Sequence, residues 1–383
     1  MKRVLSIFGT RPEAIKMAPV IKAIQASPSL KSTVAVTAQH RQMLDQVLAL
    51  FEIQPDFDLD IMKPNQDLFD VTSRVLLGMR EVIESAQPDI ILVHGDTTTS
   101  FAAALAGFYS NVPVGHVEAG LRTGNMRAPY PEEANRSLTG RLTDLHFAPT
   151  ETASKNLLRE NVAKEKIWVT GNTVIDALLM VRSTLADYDM DYWKTRLGEP
   201  LVDKVTTRTG RLILITGHRR ENFGQGFLNF CQAIHSLAHK HPDWLFVYPV
   251  HLNPNVQKPV TEHLGDAPNI ILTQPADYLP FIWLVDQSDL VLTDSGGIQE
   301  EAPSLGKPVV VTRDVTERPE AVEAGTVKLV GTDRDKIETT IEQILTDDNL
   351  YKSMSRAHNP YGDGNASTRI VEVLTQKVCS NNE

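Results

Sequence analysis

Thr293–Pro308 reads TDSGGIQEEAPSLGKP, and this stretch decides the fold class. It continues the apolar run Asp289–Thr293, which is typical of a buried strand, and it leads into a helix that opens near Ile298. Two adjacent glycines therefore stand where the strand gives way to the helix. Glycine has no side chain, so the backbone here leaves space for another molecule to approach a helix N-terminus.

The same strand-to-helix pattern recurs along the whole chain and predicts parallel sheets with helices on both faces. The strands predicted in the first half are Arg3–Phe8, Thr33–Thr37, Asp89–His94, Val114–Val117, Leu145–Phe147 and Ile167–Val169. The pattern restarts after Gly171 with Leu212–Thr216, Leu245–Val250, Ile270–Thr273, Leu290–Thr293, Val309–Thr312 and Val327–Val330. Amphipathic helices are predicted between them, for example over Ala14–Gln25 and Asp67–Ser85.

Each half is large enough for a doubly wound α/β domain of its own, with a boundary near Gly171. The stretch Tyr188–Gly210 is polar and is predicted to be irregular. A helix is predicted over Ala366–Val378, after the turn-rich NPYGDGNAS. Because ligands bind beyond the carboxyl ends of parallel strands, the loops that follow the strands are the places to look for function.

Composition narrows the class of protein. The 383 residues carry a net charge of -10, which argues against broad nucleic-acid binding. The two cysteines, Cys231 and Cys379, form neither a disulfide framework nor a zinc motif, as expected in a reducing cytoplasm. The N-terminal apolar run is too short for a secretory signal, and no stretch approaches the roughly 20 apolar residues that span a bilayer. We expect a cytoplasmic protein.

The strand-end loops of the first half are rich in charged residues. GTRPEAIK places Arg11 and Lys16 near a helix start, where they indicate either an anion site or a solvated surface turn. Asp96 precedes three threonines, and taken alone it is best interpreted as a helix N-cap. Glu118 ends an apolar strand, where a carboxylate is usually functional or ion-paired. The motif PYPEEANR contains Glu132 and Glu133 near a predicted helix start. One of these glutamates could merely offset the helix dipole.

The strand-end loops of the second half carry groups that suit phosphate. His218 stands beside two arginines, whose like charge disfavours its charged form, and a phosphate would reverse that balance. Ser295, Gly296 and Gly297 offer backbone N–H groups at a helix N-terminus. Glu301 would repel a phosphate, so we expect it to face sugar hydroxyls such as those of a ribose. The combined pattern predicts a nucleoside diphosphate on the second domain and its attached group at carboxylates of the first.

Seven motifs carry a family resemblance: FGTRPEAIKMAP, VHGDTTT, GHVEAGLRTG, PYPEEANR, TGHRREN, LTDSGGIQEEAPSLGKP and RDVTERPEA. In this order they resemble the non-hydrolysing UDP-N-acetylglucosamine 2-epimerases. The resemblance implies two Rossmann-like domains in a GT-B-like arrangement, residues 1–171 plus 366–383 and residues 172–365, with the C-terminal helix crossing back to the first. It also implies a homodimer, no metal or nicotinamide cofactor, and a second molecule of substrate as activator.

The reaction implied is reversible epimerisation of UDP-N-acetylglucosamine to UDP-N-acetylmannosamine, for bacterial surface polysaccharides. Anti elimination of UDP would give 2-acetamidoglucal, and UDP would add back. The implied acid–base residues are Asp96, Glu118 and Glu132, with His218 at the departing phosphate. The implied substrate-binding residues are Arg11, Lys16, Asp96, Glu118, Arg136, His218, Phe281, Ser295, Gly296, Gly297, Glu301 and Arg318. Ala276 departs from the pattern, since some members carry glutamine there.

The implied activator site comprises Gln39, His40, Gln42, Met43, Arg219 and His251, although residues 39–43 could simply start a helix. Three other functions stay open. A hydrolysing epimerase would release free N-acetylmannosamine and UDP, a GT-B glycosyltransferase would need an acceptor, and a nucleotide-sugar sensor would bind without turnover. Product analysis separates all of them.

Overall fold

The computed structural model describes residues 1–38, 41–63, 65–316 and 318–379. The chain divides into two compact units. The first comprises Met1–Leu179 together with the chain from Tyr361 onward, and the second comprises Met180–Pro360. No helix among the described residues combines the length and the apolar character needed to cross a membrane.

Within the described residues, the first unit is built on a parallel sheet of seven strands in the order β3-β2-β1-β4-β5-β6-β7. The strands are β1 Lys2–Phe8, β2 Leu30–Val36, β3 Phe57–Asp58, β4 Ile90–His94, β5 Val114–Val117, β6 Leu145–Ala148 and β7 Ile167–Val169. The helices are α1 Arg11–Ala26, α2 Arg41–Leu50, α3 Leu68–Ala86, α4 Thr98–Tyr109, α5 Glu132–Leu142, α6 Glu151–Arg159 and α7 Thr173–Thr184. A short 3-10 turn, Lys164–Lys166, precedes β7.

The central strands of this sheet are buried on both faces, as expected for parallel strands covered by helices. Leu5 and Ile7 of β1 and Val93 of β4 pack against α3 and α4 in one apolar cluster. The register sets His94 opposite Val117, and the Gly95 N–H donates to the Val117 carbonyl. The loops that follow β4 and β5 therefore leave the sheet side by side, next to the loop that follows β1.

The second unit carries a parallel sheet of six strands, in the described part of the chain, with the order β10-β9-β8-β11-β12-β13. The strands are β8 Leu212–Thr216, β9 Leu245–Pro249, β10 Ile270–Thr273, β11 Leu290–Thr293, β12 Val309–Val311 and β13 Val327–Leu329. The helices are α8 Met190–Leu197, α9 Glu199–Thr207, α10 Gln225–Lys240, α11 Pro254–Leu264, α12 Tyr278–Gln287, α13 Gly296–Ser304, α14 Pro319–Glu323, α15 Arg334–Thr346 and α16 Asp348–Arg356. Short 3-10 turns span Leu185–Asp187 and Arg220–Asn222.

The prediction that Tyr188–Gly210 is irregular is wrong, because α8 and α9 lie there. Asp189 caps α8 by accepting from the Tyr192 N–H at 2.8 Å. Trp193 is buried and stacks on Trp283 of α12 with ring centroids 5.2 Å apart. The polar composition of this stretch concealed α8, which buries Trp193, and α9, which buries Leu201, Val202 and Val205.

The last helix, α17 Ala366–Cys379, belongs to the first unit. It packs against α1, and Ser29 lies within hydrogen-bond distance of Thr375. Asp176 of α7 accepts from the backbone N–H groups at the start of α17, including that of Ser367 at 2.7 Å. This contact explains why the division between the units falls after Leu179 and not at Gly171, where the sequence pattern restarts.

Candidate functional site

In the first unit, the buried carboxylate of Glu13 joins the loops that follow β1 and β4. Its Oε2 accepts from the backbone N–H groups of Gly9 at 3.0 Å and Thr10 at 2.8 Å. Its Oε1 accepts from the hydroxyls of Thr97 at 2.6 Å and Ser100 at 3.0 Å. Burial raises the pKa of Glu13, and these hydrogen bonds oppose the increase. Sequence reasoning missed Glu13, although the Thr10-x-x-Glu13 spacing of a capping box signals it.

Asp96 is not a helix cap. Thr97 caps α4 by accepting from the Ser100 N–H at 3.1 Å, so the N-cap interpretation of Asp96 is wrong. The Asp96 carboxylate instead forms an ion pair with Arg136 of α5. Burial raises the pKa of Asp96, the charge of Glu118 raises it further, and Arg136 opposes the increase. A raised pKa lets a carboxyl group exchange a proton closer to the working pH than a free aspartic acid does.

Glu118 follows β5 in a left-handed backbone conformation, with φ at +63°. Residues other than glycine adopt this conformation at a cost, and such strain clusters at functional sites. Its Oε2 forms an ion pair with Lys16 and accepts from the Asn172 side chain at 3.0 Å. The structure therefore places Lys16 against Glu118, a candidate catalytic residue. The family resemblance instead implies that Lys16 binds the nucleotide.

Two buried histidines support these loops. His94 Nε2 lies 3.9 Å from Glu118 Oε2, and neither ring nitrogen of His94 has a hydrogen-bond partner within the described part of the chain. His116 Nε2 lies 2.7 Å from the Gly95 carbonyl oxygen, a distance at which it donates as the neutral tautomer. Burial lowers the pKa of each imidazole to about 4, so both are uncharged near pH 7. Sequence reasoning missed both residues, although His94 ends a predicted strand.

The two glutamates that open α5 differ in their surroundings. Glu133 is buried, and its Oε1 accepts from the backbone N–H groups of Thr123 and Gly124, both at 3.0 Å. Its Oε2 lies 3.3 Å from Arg136. Glu132 is half-buried, and its side chain has no hydrogen bond to a described residue. Glu133 thus holds the preceding loop, and Glu132 is the glutamate available for chemistry.

In the second unit, His218 follows β8 and His251 follows β9. Their rings stack with centroids 5.0 Å apart and planes 9° apart. Burial lowers the pKa of His218, as do the charges of His251 and Arg219, while Asp294 opposes the decrease. The family resemblance assigns His218 to the substrate site and assigns Arg219 and His251 to the activator site. The structure places all three at the ends of the neighbouring strands β8 and β9.

The N-terminus of α13 is open, as its glycines predict. The helix begins at Gly296, and no side chain of its own caps it. A Cβ placed on Gly296 would meet no atom within 4 Å, and Gly297 is exposed. The positive end of the helix dipole and the first backbone N–H groups are therefore accessible to an anion.

Glu301 lies one turn into α13 and is buried. The Tyr278 hydroxyl donates to its Oε1 at 2.9 Å, and its Oε2 would be 3.9 Å from a Cβ on Gly297. Burial and the adjacent carboxylate raise the pKa of Tyr278 well above its usual value, so it stays a donor. Tyr278 thus holds Glu301 beside the glycines.

The remaining predicted nucleotide contacts have varied surroundings. Arg318 forms an ion pair with the buried Glu300 of α13. Phe281 is half-buried in the first turn of α12, and Ala276 lies in the loop before that helix. Arg11 is half-buried at the first position of α1, in the other unit.

Residues 22–375 match the family model described as UDP-N-acetylglucosamine 2-epimerase. The chain belongs to this family. It is 57% identical over 372 residues to the UDP-N-acetylglucosamine 2-epimerase of Escherichia coli, covering 97% of this chain and 98% of that protein. It is 58% identical over 376 residues to a probable UDP-N-acetylglucosamine 2-epimerase of Ralstonia nicotianae, covering 98% and 99%.

A solved structure of UDP-GlcNAc 2-epimerase from Neisseria meningitidis, bound to UDP-GlcNAc, matches with a TM-score of 0.88 and 52% identity. The match covers 98% of this chain and 100% of that one. The family resemblance seen in the seven motifs is confirmed. The predicted fold class, two Rossmann-like α/β domains of GT-B-like type, is confirmed as well.

The activator residues predicted from the epimerase family lie partly outside the described residues, as Gln39 and His40 do. Helix α2 begins at Arg41, so Gln42 and Met43 occupy its first turn, and both are exposed. Arg41 pairs with Asp45 one turn along the helix. A helix starts in this segment, which agrees with the alternative that these residues simply begin a helix. The activator role stays a prediction.

Proposed function

We propose that this protein interconverts UDP-N-acetylglucosamine and UDP-N-acetylmannosamine by eliminating UDP and adding it back. The observation that carries the proposal is the pair of carboxylates at the ends of β4 and β5. Asp96 has a raised pKa, and Glu118 combines a left-handed backbone conformation with an ion pair to Lys16. Two carboxylates in different electrostatic surroundings are suited to act as an acid and a base at the same carbon.

The carbon that inverts is not acidic on its own, so departure of UDP must begin first. As the C1–O bond breaks, its electron pair goes to the diphosphate oxygen and positive charge grows at C1. That charge acidifies the C2–H bond, and a carboxylate takes the proton while the C1=C2 bond of 2-acetamidoglucal forms. A proton then reaches the other face of C2, and the UDP oxygen re-forms the bond to C1.

Inversion needs proton carriers that serve both faces of C2, so one carboxylate is insufficient. We assign this work to Asp96, Glu118 and Glu132. Lys16 forms an ion pair with Glu118, and a neighbouring positive charge favours the ionised form of a carboxylate. Each well-placed acid or base contributes roughly 10²–10⁴ in rate.

The second unit supplies the groups that suit the nucleotide. We propose that Ser295, Gly296 and Gly297 hold the diphosphate with backbone N–H groups, and that Glu301 accepts from ribose hydroxyls. His218 is assigned to the departing phosphate. Arg11, Arg318 and Phe281 complete the proposed nucleotide contacts, with Phe281 near the uracil.

The proposal extends to assembly and regulation. Family membership supports a homodimer, activation by a second molecule of UDP-N-acetylglucosamine, and a product used for surface polysaccharides. The surface of α3 and α4 supports the dimer, because Phe69, Leu77, Phe108 and Tyr109 are all more than half exposed. Large apolar side chains in this number are unusual on a surface that faces only water.

Proton NMR of UDP-N-acetylglucosamine with the purified protein in D₂O tests the function. We expect UDP-N-acetylmannosamine to appear, with deuterium at C2 of both sugar nucleotides. Free N-acetylmannosamine as the main product would establish the hydrolysing reaction instead. An unchanged spectrum from a folded protein that binds UDP would refute epimerisation, and an acceptor screen would then test for a glycosyltransferase.

A further inference from the structure

His218 and Asp294 meet at the carboxyl ends of two paired strands, inside the second unit. Strands β8 and β11 are in register with Thr216 opposite Thr293, so the residues after them leave the sheet at one edge. The Asp294 side chain is 1% exposed and that of His218 is 43% exposed. Asp294 lies in the motif LTDSGGIQEEAPSLGKP, but the sequence analysis gives it no role.

One carboxylate oxygen of Asp294 fixes the backbone that carries His218. Oδ2 accepts from the backbone N–H groups of His218 and Arg219, both at 2.8 Å. The Asp294 N–H in turn donates to the Thr216 carbonyl at 3.1 Å. The loop after β8 is thereby attached to the end of β11.

The other oxygen of Asp294 points toward the imidazole. Oδ1 is buried and has no hydrogen-bond partner among the described residues, and it lies 3.7 Å from His218 Nδ1. A buried carboxylate oxygen without a hydrogen bond is costly, so it favours any donor within reach. A modest rotation of the imidazole brings Nδ1–H to hydrogen-bond distance, and contacts of this kind tighten when the reaction complex forms.

The other groups near His218 do not provide this interaction. His251 stacks on the ring, and its own Nδ1 accepts from the Asn253 N–H at 3.1 Å. Arg219 adds positive charge, and the Tyr248 hydroxyl donates to the Gly217 carbonyl at 2.6 Å. Among the charged groups that act on His218, Asp294 is the one that favours its protonated form.

We propose that Asp294 is a positioning residue for His218, accepting from its Nδ1–H so that Nε2 faces the departing diphosphate. This inference rests on the function proposed above. His218 acts as the imidazolium: as the C1–O bond breaks, its Nε2 proton moves to the diphosphate oxygen that receives the electron pair. Imidazole stays protonated on Nδ1, Asp294 stays ionised, and the return of UDP reverses the transfer. A carboxylate fixes the tautomer of a catalytic histidine in the same way in serine proteases.

Asp294→Asn tests the proposal, because the amide oxygen can still accept from the two backbone N–H groups while its NH₂ group faces Nδ1. Histidine ring ¹⁵N NMR of the full chain, with His218 assigned by the loss of its signals in His218→Gln, reports the tautomer. We expect neutral His218 to carry its proton on Nδ1 in the wild type and on Nε2 in the variant. Its pKa should fall, and kcat should fall by about 10²–10⁴, the range for a positioned acid.

Asp289→Asn is the matched control, since Asp289 flanks the opposite end of β11. It accepts from the Leu212 N–H at 2.8 Å and from Arg211 at 3.1 Å. The same chemical change there should leave the His218 tautomer, its pKa and kcat as in the wild type.

An Nε2–H tautomer in the wild type, or an unchanged tautomer and pKa in Asp294→Asn, would overturn the proposal. The wild-type spectrum decides the matter even if the variant fails to fold. The spectrum also separates this inference from the proposed function. The expected tautomers in a protein that does not turn over UDP-N-acetylglucosamine would refute the function and leave the pairing standing.

Discussion

The residues at the strand ends of the first unit are of two kinds: candidate acid–base residues, and residues that position those side chains. Arg136 belongs to the second kind, because its guanidinium contacts both Asp96 and Glu133. The motif PYPEEANR identifies the region from sequence alone. It cannot tell which acidic side chain is buried, because that depends on how the loop before α5 folds back.

Replacing Arg136 with methionine should raise the pKa of Asp96 further. Burial already raises it, and the variant removes the cation that opposes the increase. If Asp96 works in its ionised form, the acidic limb of the kcat/KM profile should move to higher pH. The measurement is initial rate against pH, with Arg141→Met as the control because Arg141 lies on the same helix and donates to the Glu160 carbonyl instead. An acidic limb that does not move would refute this role for Arg136.

Glu132→Gln and Glu133→Gln should separate turnover from stability. The first should lower kcat by roughly 10²–10⁴, as expected for loss of an acid or base, and leave the unfolding free energy nearly unchanged. The second should lower the unfolding free energy by about 1–3 kcal/mol, because it weakens a buried hydrogen-bonded carboxylate. Urea unfolding and steady-state kinetics on both variants check this pair. Equal losses of stability in the two would contradict the assignment.

At the scale of elements, three neighbouring strands each bury one histidine. His94 lies on β4, His116 on β5 and His146 on β6, with His116 opposite His146 in register. Burial lowers the pKa of His146 to about 3, below the value of about 4 for the other two. The centre of this sheet therefore requires uncharged imidazoles.

The free energy of unfolding should consequently fall as the pH drops from about 6.5 to about 4. The upper limit is the usual pKa of histidine, and the lower limit is the pKa of His94 and His116 in this fold. The unfolded chain binds protons in this range that the folded chain does not bind. Each such histidine contributes a slope of up to about 1.4 kcal/mol per pH unit. Urea midpoints across this range measure the slope. His94→Gln should reduce this slope by the contribution of one histidine. Replacing the exposed His358 with glutamine should leave the slope as it is in the wild type.

The strands were predictable because parallel strands are apolar along their whole length. All twelve predicted strands are present, with ends within three residues of the predictions. The two-residue β3 was missed because it is too short to show a pattern. Helices α8 and α9 were missed because most of their residues are polar, although α8 buries Trp193 and α9 buries Leu201, Val202 and Val205.

For the whole molecule, the proposed homodimer makes the most direct prediction. Phe108→Asp places a charge on the apolar surface of α3 and α4 and should convert the dimer to monomers. Leu158→Asp, on the partly exposed face of α6, is the control and should leave the mass unchanged. Sedimentation equilibrium measures both. A wild-type protein that sediments as a monomer would refute the dimer, and a Phe108→Asp dimer would place the interface elsewhere.

Sequence reasoning reached the overall architecture and most of the charged residues at the strand ends. It did not reach the residues that act through others, such as Glu13 and Asp294. Their roles depend on contacts between loops from different strands, and spacing along the chain does not reveal those contacts. Lys16 illustrates the same limit, since its partner Glu118 lies more than a hundred residues away.

The first unit is built from two separated parts of the chain, with the second unit encoded between them. During synthesis, its sheet and α1 leave the ribosome long before α17 does. The surface of α1 that α17 covers must therefore wait, uncovered, until the second unit has been translated. An N-terminal domain ordinarily folds first as a complete unit. Here the nascent chain cannot complete this domain until the second unit and then α17 have been made.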